Sequence, residues 1–68
     1  MSEKRFLSKS EVRDRVKLSY AEIARREKRM QFPSRLRLGP HRTSRTVWLL
    51  EEIERWIDDV IARQRIGS

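Results

Sequence analysis

The chain has 68 residues, of which 17 are Lys or Arg and 10 are Asp or Glu, for a net charge of +7; 37% of positions are apolar and none is cysteine. That bounds it to one small domain of at most two packed layers, with too little mass for a deep catalytic cleft, so no enzyme is expected. With no thiol and a single imidazole, His41, disulfide frameworks and metal sites fall away, and neither a cofactor nor a small-molecule ligand is expected. The longest apolar run, Val47-Trp48-Leu49-Leu50, is four residues, too short for a membrane span or a secretory core, and implies a cytoplasmic protein.

Residues 1–5 read as a flexible polar start. Leu7-Ser8-Lys9-Ser10-Glu11-Val12 then has the composition of a complete helix N-terminus: Ser8 to cap, Glu11 to reach back, Leu7 and Val12 to form the hydrophobic staple. The same device recurs eleven residues later in Leu18-Ser19-Tyr20-Ala21-Glu22-Ile23. A first helix from about Lys9 to Val16 must therefore end before a second begins at Tyr20, and the short connection around Lys17 and Leu18 has helix-turn-helix spacing. The second helix should run to about Arg29. At 100° per residue it sets Tyr20, Ile23, Ala24 and Met30 toward a core, Ala21, Glu22, Arg25 and Arg29 outward, and Arg26 and Lys28 on the flanks.

Phe32-Pro33 closes that helix, since proline disfavours helical dihedrals in the residue before it. Ser34-Arg35-Leu36-Arg37-Leu38 alternates with period two, which predicts a half-buried strand with Leu36 and Leu38 inward and Arg35 and Arg37 outward. A loop of seven residues, Gly39-Pro40-His41-Arg42-Thr43-Ser44-Arg45, separates it from Thr46-Val47-Trp48-Leu49, a second strand able to pair with the first. From about Leu50, Ile53, Trp56, Ile57, Val60 and Ile61 repeat at helical spacing. Acidic residues come early in this last helix and basic ones late, and Glu51/Arg55 and Asp59/Arg63 are available as i, i+4 pairs. Residues 66–68 read as a frayed end.

The charge is unevenly placed. Residues 25–45 carry seven Arg and Lys28 against Glu27 alone, a net of +7, while residues 1–24 sum to +2 and residues 51–68 to −2. One dense arginine stretch points to a polyanion, because the planar guanidinium fork suits phosphate oxygens. The order helix, turn, helix, strand, basic loop, strand, helix is that of a small α+β, mostly α, winged helix-turn-helix domain over residues 6–65, with a two-stranded wing. Such a domain sets a helix into the major groove of duplex DNA and a wing along the backbone or minor groove. Candidate contacts on the helix are Ser19, Tyr20, Ala21, Glu22, Arg25, Arg26, Lys28 and Arg29. Arg35, Arg37, His41, Arg42, Thr43, Ser44 and Arg45 are the candidates on the wing. A DNA-binding role would make the protein nucleoid-associated.

Phe6-Leu7 with Glu11-Val12, Leu18-Ser19, Ile23 with Arg25, Phe32-Pro33, Leu38-Gly39-Pro40, Trp48, and Glu52-Ile53 with Trp56-Ile57 are ordered and spaced as in one group of proteins. Over residues 6 to about 65 the chain resembles the AlpA-type phage regulators and small excisionases, or recombination directionality factors, which share a MerR-like winged helix. It departs at Met30, where the family has glycine, and in a longer loop between Gly39-Pro40 and Trp48, which implies a wing of greater reach. The resemblance implies a duplex-DNA-binding protein that occupies adjacent sites and bends DNA. Its task would be to assist a tyrosine recombinase in excision or, as the second reading, to regulate a promoter.

Other readings of the same residues are weaker. Trp48 and Trp56 are in phase with apolar neighbours, which favours packing over base stacking. Ser8 and Ser19 are caps, with no general base at a useful spacing. Arg13 and Arg15 read as solvated, and His41 as a loop residue with at most a phosphate contact. An RNA or single-strand binder would show an aromatic strand face, which this chain lacks. A protein-interaction module would use the acidic last helix, and that helix could also meet the basic surface of a neighbouring copy head to tail along DNA.

Overall fold

A computed structural model describes residues 4–67. Six elements follow in order: β1 (Phe6–Leu7), α1 (Lys9–Val16), α2 (Tyr20–Lys28), β2 (Leu36–Arg37), β3 (Thr46–Leu49) and α3 (Leu50–Gln64). The strands form an antiparallel sheet in the order β1-β3-β2, with Leu7 opposite Trp48 and Leu36 opposite Val47. The result is a small α+β winged-helix-like fold, with a three-stranded sheet in place of the two-stranded ribbon expected.

The extra strand is β1, and it does more than lengthen the sheet. β3 runs into α3 without a loop, and the helix N-cap, Leu49, has no side chain able to accept an orphan amide. The Arg5 carbonyl takes that role, accepting from the Leu50 amide at 2.8 Å, while the Lys4 ammonium lies 3.9 Å from the Glu51 carboxylate. Lys4 and Arg5, expected in a free end, are thus tied to the start of α3; residues 1–3 and Ser68 lie outside the described residues. Glu51 pairs with Lys4 rather than Arg55, and Arg63 donates weakly to the Asp59 carbonyl at 3.5 Å rather than to its carboxylate, so neither expected i, i+4 ion pair forms.

Both capped helices start where the sequence indicates. The Ser8 hydroxyl accepts from the Glu11 amide at 3.3 Å and the Glu11 carboxylate accepts from the Ser8 amide at 2.8 Å, a full capping box. The second box is half made: the Ser19 hydroxyl accepts from the Glu22 amide at 3.3 Å, but the Glu22 carboxylate turns to Arg26, 4.0 Å away. Both helices end on a left-handed residue that is not glycine. Lys17 (φ 60°) closes α1, its amide bonding the Arg13 carbonyl, and Met30 (φ 58°) follows α2. There the Met30 amide donates to Glu27 and the Gln31 amide to Arg26, the paired bonds of a Schellman motif.

The core is one cluster of Leu7, Val12, Ile23, Phe32, Trp48 and Ile53, with Val16, Leu18, Leu50, Trp56 and Ile57 partly buried against it. Phe32 meets the edge of Trp56 at 4.8 Å between ring centroids, and the Trp56 indole donates to the Gln31 carbonyl, which anchors the segment leaving α2 on α3. Four expected inward residues are not inside. Ala24 is exposed, Met30 is 91% exposed because its left-handed backbone swings it off the helix face, and Leu36 in β2 and Leu38 just after it are both exposed. Leu36 and Leu38 are 38% and 51% exposed, and the pairing of Leu36 with Val47 sets Arg35 beside Trp48.

Candidate nucleic-acid interface

The outer side of α2 is built by the cap at its start and the left-handed exit at its end. Ser19 fixes where the first turn begins, so Arg25 and Arg29 emerge one turn apart on the exposed side. With Glu22, Arg26 and Gln31 they border a shallow open cleft. Arg26 alone among these cations has an acidic neighbour, Glu22, and at 4.0 Å between half-exposed groups that pair is weak. Ser19, Ala21, Arg25, Lys28 and Arg29 are all exposed. Among the described residues no carboxylate lies within 4.0 Å of Arg25, Lys28 or Arg29. Tyr20, half buried, receives two cations from α1 on its ring: the Lys9 ammonium at 4.2 Å and the Arg13 guanidinium at 5.1 Å. Arg13, read from sequence as solvated, is therefore part of a small cationic corner where α1 meets the start of α2.

Between α2 and the wing sits a residue not singled out as a site from sequence. The Glu27 side chain, 13% exposed, accepts from the Arg35 amide at 3.0 Å and from the Trp48 indole at 3.2 Å through Oε2, and from Arg35 Nε at 3.0 Å and Nη2 through Oε1. Four donors meet on one carboxylate, and the two from the guanidinium converge on the single oxygen Oε1, charge-assisted bonds that are stronger than neutral ones. The Arg35 guanidinium also lies 5.4 Å from the Trp48 ring centroid. Glu27 neutralises this half-exposed cation and Trp48 supplies it with a π face. The sequence did hold a signal: Glu27 is the lone acid among eight cations between residues 25 and 45. Arg35, a candidate contact on sequence, is exposed but has its guanidinium held by Glu27.

The wing is more ordered than its length suggests. The Leu38 amide donates to the Arg45 carbonyl at 2.9 Å, extending the ribbon, and the Ser44 amide donates to the His41 carbonyl at 2.9 Å, closing a tight turn with Arg42 and Thr43 at its tip. Gly39 is needed for closeness: a Cβ there would stand 2.6 Å from the Ser44 hydroxyl. Arg37, His41, Arg42, Thr43 and Arg45 are exposed and Ser44 is half buried. No carboxylate lies within 4.0 Å of Arg37, Arg42 or Arg45 among the described residues. Two sets of exposed arginines result, on α2 and on the wing, with the Glu27–Arg35 pair joining the two elements. Among the described residues no cluster of His, Asp and Glu suits a metal ion, and no helix is long and apolar enough to cross a membrane.

A helix-turn-helix with a basic outer helix and an arginine-tipped wing defines a small winged-helix regulatory protein. A family model described as prophage CP4-57 regulatory protein (AlpA) matches residues 5–61, most of the chain, and the protein belongs to that family. No curated protein and no solved structure matches it.

Proposed function

We propose that the protein is a sequence-selective binder of duplex DNA that serves as an excisionase. It occupies adjacent sites cooperatively and bends the DNA so that a tyrosine recombinase excises a mobile element. The observation that carries the DNA-binding part is two sets of exposed arginines with no carboxylate within 4.0 Å among the described residues, Arg25 and Arg29 on α2 and Arg37, Arg42 and Arg45 on the wing. In this reading Arg25, Arg29 and Glu22 reach base edges or flanking phosphates in the major groove, with Ser19, Tyr20, Ala21, Arg26 and Lys28 around them. Arg42 and Arg45, with Thr43 and Ser44 as hydroxyl donors and Arg37 and His41 alongside, hold the backbone or the minor groove. Arg35 contributes by fixing the wing rather than by touching phosphate.

Cooperation follows from size, because a single module of this scale buries roughly 600–1,000 Å² on DNA and rarely binds tightly alone. The acidic first half of α3 in one copy meeting the basic surface of the next supplies the extra contact, a head-to-tail association along DNA. Titration of a duplex carrying two adjacent sites tests this: the doubly bound species should dominate as soon as the first site fills. Independent filling of the two sites contradicts cooperation, and equal affinity for duplex, single strand and RNA at one salt concentration contradicts the reading as a whole. Promoter regulation is the second reading, favoured by the family's description as a regulatory protein. An effect of the protein on transcription without any on excision would select it.

A further inference from the structure

A second surface has a different chemistry. A half-open groove of about 680 Å³ runs between the α1–α2 turn and the C-terminal half of α3. Its floor is apolar, made by Leu18, Trp56, Ile57 and Val60, all partly exposed. Three arginines stand around it, Arg15, Arg26 and Arg63, and no acidic residue lines it. Arg15 and Arg63 form no side-chain ion pair among the described residues. Nucleic acid has little use for such a floor, since phosphates gain nothing from aliphatic side chains. The exposed part of α3 from Trp56 to Gln64 is about 12 Å long at 1.5 Å per residue, the length of roughly two helical turns.

We infer that this groove docks an acidic amphipathic helix of a protein partner, apolar anchors on Trp56, Ile57 and Val60 and carboxylates over Arg15 and Arg63. Charge complementarity selects the occupant: every charged residue lining the groove is an arginine, beside the neutral Gln31 and Gln64, and the rest of the lining is apolar, so a helix with acidic flanks on one apolar stripe matches both, as in helix-in-groove recognition. The inference goes beyond DNA binding and does not depend on it, apart from Arg26, which borders both surfaces.

The test uses the whole chain, ¹⁵N-labelled and free of DNA. The probe is a synthetic helical peptide with leucines at i, i+3, i+4 and i+7 and glutamates beside them. Saturable shifts are expected at the Trp56 indole, Ile57 and Val60, with a scrambled peptide of identical composition about tenfold weaker or worse. The double variant R15E/R63E, altered at exposed positions, should lose the peptide and bind one in which lysines replace the glutamates. No shifts at millimolar peptide, equal binding of the scrambled peptide, or shifts confined to the outer side of α2 would overturn the inference. So would shifts at the groove that track protein concentration without peptide, which would mean that a second copy covers it. A DNA duplex that perturbs the groove and displaces the peptide would overturn it as well. Failure here leaves the duplex-binding titrations untouched, and their failure leaves this result standing.

Discussion

Arg35 and Arg29 lie six residues apart in one basic stretch, yet their surroundings have little in common. Both are exposed, but Arg35 gives its amide and guanidinium to Glu27 and lies over Trp48, whereas Arg29 has no carboxylate within 4.0 Å among the described residues. Arginines of one run thus divide between holding α2 to the wing and facing outward. The net charge of residues 25–45 describes neither role, because a cation beside the sheet is counted like one at the wing tip. What separates them is a single carboxylate placed by α2 where β2 begins.

The most damaging way to break the division is to remove that carboxylate. Glu27→Ala leaves the Trp48 indole without its acceptor and releases the half-exposed Arg35 guanidinium to water, and about 1–3 kcal/mol of stability should disappear. In a domain this small that approaches the whole, so urea unfolding should show a much lower midpoint; a midpoint unchanged from wild type would deny the joint a structural role. The complementary change, Arg25→Glu with Arg29→Glu, should leave unfolding nearly unchanged and lower duplex affinity by at least about tenfold for each arginine. If the double variant unfolds early, those arginines belong with Arg35.

Smaller effects sharpen the frame on which both classes rest. Met30→Gly should stabilise by about 1 kcal/mol, since glycine adopts the left-handed exit of α2 without the clash that a Cβ carries, and Met30 is 91% exposed and packs on little. A loss of stability instead would mean that the methionine side chain contributes something its exposure does not suggest. Ser8→Ala should cost about 1 kcal/mol through loss of the α1 cap. The same box holds the Glu11 carboxyl below its ordinary value of 4.5, chiefly through the hydrogen bond from the Ser8 amide and then that with the Ser8 side chain. A folded pKa below the unfolded one gives stability that is complete above the unfolded value and is lost as pH falls through the folded one. Glu11→Gln should therefore narrow the gap between the unfolding midpoints at pH 7 and pH 3, and an unchanged gap would remove the box from the acid response.

Local devices were legible in the sequence and long-range pairings were not. Ser8 and Ser19 with their partners three residues on marked the starts of α1 and α2, and the Ile53, Trp56, Ile57, Val60 spacing marked α3, because a cap or a helical stripe is written within a few residues. β1 is two residues long and exists through β3, some forty positions away, so Phe6-Leu7 carries no signature of its own. The half-burial expected of β2 fails for the same reason: alternation shows that Leu36 and Arg35 face opposite sides, but both stay exposed, and only Glu27 and Trp48, distant in sequence, decide what the arginine touches. The outward arginines of α2 followed from helical phase. Glu27 is visible in retrospect as one acid among eight cations, a departure that composition records and periodicity does not explain.

The salt dependence of duplex binding, compared between wild type and R25E/R29E, bears most directly on the central claim that the outward arginines meet phosphates. With about four to six phosphates neutralised, log K should fall against log salt with a slope near −4 to −5 in the wild type and be shallower by about 2 in the variant. A wild-type slope near zero, or identical slopes for the two proteins, would contradict it.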